Sequence, residues 1–145
     1  MPLPTILVVA RNSAVRELIS RILARKGFTV VDVGNAVDGL RQFHDHQDEI
    51  SLAVIDMTVP AADGLDLAAE LVRQCPRLKV LYLSGYASSI AVAGINSRSP
   101  EAILIKPFTG RMLVERVAIL LQGGVGEAEG PPQKQRLHDS RRCRR

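Results

Sequence analysis

Five short aliphatic and β-branched runs recur along the chain, and between them the apolar residues take helical spacing. The runs lie at residues 5–10, 28–33, 52–55, 79–83 and 102–105. Each has strand length, and none alternates cleanly between polar and apolar. Strands of that kind are buried on both faces, the habit of parallel sheets. After the first run, Val15, Leu18, Ile19, Ile22 and Leu23 share one helical face, with Arg16, Arg21 and Arg25 off it. Val37, Leu40 and Phe43 mark a short second helix ending near Asp45. Leu65, Ala68, Ala69, Leu71 and Val72 mark a third. Residues 88–99 read as a short helix weakened by Gly94. Met112, Leu113, Val117, Leu120 and Leu121 line the last. At roughly 25 residues per unit, the pattern is an α/β doubly wound parallel sheet, (βα)5, with helices on both faces and right-handed crossovers.

The punctuation agrees. Ser13 is a suitable N-cap for the first helix, and Gly27 after Lys26 suits a left-handed C-terminal cap. Gly34-Asn35 ends the second strand. Cys75-Pro76 ends the third helix, because the residue before proline is pushed out of the helical region. Thr109 caps the last helix.

Length and composition suit one domain of 145 residues with an aliphatic core, since aromatics are 3%. Tryptophan is absent, which argues against stacking platforms for single-stranded nucleic acid. No apolar run reaches the ~18 residues a membrane span needs, and no secretory signal is visible. The cysteines, Cys75 and Cys143, are far apart. No disulfide framework is expected, and a cytoplasmic setting is. Cys75 reads as a core filler at a helix end. His44 and His46 flank Asp45 without sharing a helical face, so they read as surface residues. From Gln122 onward there are six Lys/Arg and three acids, leaving +1 of the net +4 on the first 121 residues. A basic nucleic-acid-binding domain is disfavoured, and residues 122–145 are expected to form a disordered basic tail. "RRCRR" at its end reads as solvated, or as a contact for an anionic partner.

In a doubly wound sheet, function collects outside the carboxyl ends of the strands. Here those ends carry Ala10-Arg11-Asn12, Asp56, Ser84 and Lys106. A carboxylate, a hydroxyl and an ammonium from three strands suit a phosphoryl group. The carboxylate can be a nucleophile, the hydroxyl a hydrogen-bond partner and the lysine a counter-charge. No Gly-rich phosphate loop follows the first strand, so a nucleotide-binding flavodoxin-like enzyme is disfavoured.

Three motifs then fall in order. Asp56 is followed by "MTVPAADG", "LSGYA" occupies residues 83–87, and "IKPF" occupies residues 105–108. Over about residues 4–121 the chain resembles the response-regulator receiver domain of two-component phosphorelays. That resemblance implies a flavodoxin-like fold with strand order 2-1-3-4-5. Asp56 would be the phosphoacceptor, Ser84 the switch hydroxyl and Lys106 a contact to the phosphoryl oxygens, with a Lys106-Pro107 bond that is often cis in the family. It implies a signalling protein, not an enzyme, whose partners are a sensor histidine kinase or phosphotransfer protein and a downstream protein; no helix-turn-helix or other output domain follows these motifs, so a stand-alone receiver is expected. Dimerisation is left open.

Two positions depart from the family. The acidic pair that holds Mg²⁺ at the end of the first strand is replaced by Ala10 and Arg11. Asp56, the backbone carbonyl of Thr58 and Asn12 remain as ligands, so Mg²⁺ affinity is expected to be weak or absent. Arg11 can substitute for the metal by pairing with Asp56, lock a phosphorylation-independent interaction module in one state, or point into solvent. At the position of the family's mobile aromatic stands Ile103. Tyr86 could serve an output face, or be an ordinary half-buried tyrosine.

Overall fold

The structure is a computed structural model, and it describes residues 4–57, 61–85 and 102–122. The strands are β1 (Thr5–Val9), β2 (Thr29–Val33), β3 (Ile50–Asp56), β4 (Lys79–Ser84) and β5 (Ile103–Ile105). The helices are α1 (Ser13–Arg25), α2 (Ala36–Asp45), α3 (Ala61–Gln74) and α4 (Gly110–Leu121). All strand pairs are parallel, in the order β2-β1-β3-β4-β5. This is the doubly wound sheet expected from the alternation, in the flavodoxin-like strand order that the family resemblance implied. The helix anticipated at 88–99, the residues Thr58 and Tyr86, and the tail lie outside the described residues. No helix among the described residues is long and apolar enough to cross a membrane.

Period-two alternation along the strands builds two cores from one sheet. Ile6, Val8, Leu52, Val54, Leu81 and Leu83 face α1 and α4, where they meet Ile19, Leu23, Leu113 and Val117. Leu7, Val9, Ala53, Ile55 and Val80 face the other way, against Phe43 of α2 and Leu67, Ala68 and Leu71 of α3. The middle of the sheet is therefore apolar on both sides. A polar side chain on β3 or β4 finds partners only at a strand end.

Caps place the helices. The first turn of α1 is capped by Asn12, whose Oδ1 accepts from the Val15 N–H at 3.0 Å. Ser13 is instead the first helical residue, so the helix starts one position earlier than expected. Asn and Ser are comparable caps, and Asn12 holds the extended backbone a cap needs. At the other end, Gly27 has a φ of 101°. Its N–H reaches the Ala24 carbonyl, and the Phe28 N–H reaches that of Leu23. This is the paired closure that a left-handed residue after the helix permits. Asn35 and Thr109 cap α2 and α4.

Five apolar residues assigned to buried helical faces are exposed: Leu18 (55%), Val37 (69%), Ala69, Val72 and Met112. Leu18, Val72 and Met112 each adjoin a fully or nearly fully buried residue (Ile19, Leu71 and Leu113), and one helical step is a rotation of about 100°. The true faces are narrower than the sequence stripes. Cys75 is fully buried at the end of α3, as a core filler would be. Cys143 lies outside the described residues.

Candidate functional site

β3 carries an apolar run into the centre of the sheet and ends on Asp56, which is 1% exposed. A carboxylate buried there needs a counter-charge. Lys106 supplies one from the far side of β4: its Nζ donates to Asp56 Oδ1 at 2.9 Å. Ser84, at the end of β4 between them, is also buried.

The backbone fixes this convergence. Asp56 pairs in register with Leu83. The Met57 N–H donates to the Leu83 carbonyl, and the Lys106 N–H to the Ser84 carbonyl, both at 2.8 Å. The ladder thus continues past the last residues of β3 and β5 and sets three polar side chains along one edge. The Lys106-Pro107 peptide is cis, as the family resemblance implied. Two residues before Ser84, Tyr82 is half-buried in β4, and burial pushes its phenol up from the ordinary range.

The end of β1 is built differently. Ala10 is buried and brings no ligand atom in its side chain. Its carbonyl accepts from Arg16 Nη1 at 2.8 Å. Arg11 is exposed, and among the described residues it makes no ion pair with Asp56. Asn12 spends its side-chain oxygen on the cap. Thr58 lies outside the described residues. The structure therefore brings together Asp56, Ser84 and Lys106, and leaves Arg11 and Asn12 apart from them.

Sequence reasoning passed over two arginines. Arg16 was placed off the buried face of the first helix, yet its long stem turns back from α1 to the end of β1. The available signal was its position in the first helical turn, where side chains lean toward the N-terminus and cover the preceding strand end. Arg116 of α4 donates to the Ile103 carbonyl and ties α4 to β5 at the position where the family's aromatic would stand. Ile103 itself is buried.

Residues 6–118 match the family model of the response regulator receiver domain. The chain belongs to this family. Among curated relatives, the receiver is 32% identical over 127 residues to the transcriptional regulatory protein CseB of Streptomyces avermitilis, covering 87% of this chain and 52% of that protein. It is 30% identical over 118 residues to the sensor kinase CckA of Brucella abortus, covering 81% of this chain and 12% of that one. The chain thus spans about half of one relative and a small part of the other. Among solved structures, a CheY-like receiver domain protein from Methanospirillum hungatei superposes with a TM-score of 0.72 at 27% identity, covering 88% of this chain and 99% of that one. The receiver therefore belongs to the modules of two-component signalling.

The family implies a divalent cation beside the acceptor carboxylate. The residues here do not fit one. Hard divalent cations want several anionic or carbonyl oxygens. The end of β1 offers an alanine, an exposed cation and an amide already engaged as a cap. Among the described residues, no group of three His, Cys, Asp or Glu could hold a metal ion.

Proposed function

We propose that this receiver accepts a phosphoryl group on Asp56 from a sensor histidine kinase or phosphotransfer protein and passes the change on by protein–protein contact. The observation that carries the reading is the convergence of Asp56, Ser84 and Lys106 at one sheet edge, anchored by the 2.9 Å Lys106–Asp56 contact. A carboxylate oxygen of Asp56 attacks the phosphorus of a phosphohistidine. A P–O bond forms, the P–N bond breaks, and the imidazole leaves with the electron pair and takes up a proton. Lys106 offsets the repulsion between the carboxylate and the incoming phosphoryl oxygens, and the Ser84 hydroxyl can hydrogen-bond one of them. The product stays on the chain, so the reading is of a signalling module and not of an enzyme.

A second reading is supported by the end of β1, where the family's acids are replaced. In it the domain is a pseudo-receiver, a protein-interaction module indifferent to phosphorylation. Intact mass separates the two. After incubation with acetyl phosphate or a cognate kinase, the first reading expects a single added phosphoryl group that Asp56→Asn abolishes. No adduct, alongside a receiver that is labelled under the same conditions, selects the second.

A further inference from the structure

We infer that the site around Asp56 binds no divalent cation, because the end of β1 no longer offers the oxygens that would hold one. Three observations at the end of β1 support it. The Ala10 side chain is buried and has no donor atom, while its carbonyl already accepts from the Arg16 guanidinium at 2.8 Å. Asn12 Oδ1 is held at 3.0 Å by the Val15 N–H, so binding a metal through it would uncap α1. Arg11 and Arg16 both stand at this strand end, and an arriving dication meets like charge there. Opposite them, the Lys106 ammonium lies 2.9 Å from Asp56 Oδ1.

The inference rests on Asp56 being the centre of the site, but not on its phosphorylation. Its test uses the unphosphorylated full chain and so fails or stands independently of the mass measurement above. Mg²⁺ alone is titrated to about 20 mM while the backbone amides of residues 10–12 and 55–57 are followed by NMR. Wild type is expected to show no saturable shift at these amides. Ala10→Asp/Arg11→Asp is expected to show saturable shifts, with a dissociation constant at least about tenfold lower than any limit set for wild type. Ala10 is buried, so where the double variant fails to fold, Arg11→Asp at the exposed position takes its place and is expected to shift in the same direction. Saturable Mg²⁺ binding by wild type at residues 10–12 and Asp56 overturns the inference. So does a folded acidic variant that binds no better than wild type, because the missing acids would then not be the reason.

Discussion

At the ends of β3, β4 and β5 the polar side chains turn inward, whereas at the end of β1 they turn outward or to local duties. Asp56 and Ser84 are buried and Lys106 reaches in to them. Arg11 is exposed, Asn12 caps a helix, and Arg16 holds a strand-end carbonyl. The two regions are neighbours on one sheet, since β1 pairs with β3. One strand-end cluster keeps a buried carboxylate with its lysine, while Asn12 and Arg16 beside it serve the backbone of α1 and β1. A buried carboxylate fixes its partners by the cost of leaving it alone. Arg11 and Asn12, exposed beyond β1, carry no such penalty.

This contrast predicts graded effects. The largest belongs to the buried half. Lys106→Met removes the ammonium from Asp56 and should cost about 2–3 kcal/mol in urea unfolding, less than a fully buried pair because Lys106 is partly exposed. Asp56→Asn/Lys106→Met should recover part of that loss, because the carboxylate is no longer charged. If Lys106→Met is neutral, the contrast between the two regions collapses. An intermediate effect belongs to Asn12: Asn12→Ala should lower stability by about 1 kcal/mol, and Asn12→Asp should restore it, as expected of a cap.

The smallest effects lie on exposed groups. Arg11→Ala should change stability by less than about 0.5 kcal/mol, and a larger loss would mean that the guanidinium has a partner in solution. Far from the site, hydrogen bonds from Arg73 and then Gln74 hold the Glu70 carboxyl down to about 2, from an ordinary 4.5. A depressed carboxyl stabilises the fold above its unfolded pKa, and that contribution is lost as pH falls from about 4.5 through about 2. The Tm advantage of wild type over Glu70→Gln should therefore be small at pH 7, because the pair is solvated, and should vanish near pH 2. An advantage that grows in acid would contradict the assigned direction.

Much of the fold was legible because its signals are local. The strand runs and the closures at Gly27, Asn35 and Thr109 depend on residues within one or two turns of each other. Asp56 could be placed at the mouth of the sheet because an apolar run ended on it. Helical stripes were less reliable. Leu18 and Met112 fit a stripe in sequence, yet only the packed helix determines where its buried face stops.

By itself, then, the sequence determined the alternation of elements, the double-sided apolar sheet and the identity of the central carboxylate. These follow from periodicity and from the cost of burying unpaired polar groups. Tertiary structure alone decided which cation meets that carboxylate. Arg11 and Lys106 were both available, one at the end of β1 and the other 50 residues beyond Asp56. The register of β3, β4 and β5 sets Lys106 at 2.9 Å, while the chain leaving β1 presents Arg11 to solvent. Spacing along a chain does not encode that choice. It is made where strands distant in sequence become neighbours, and where the direction of a side chain is set by the backbone on which it stands.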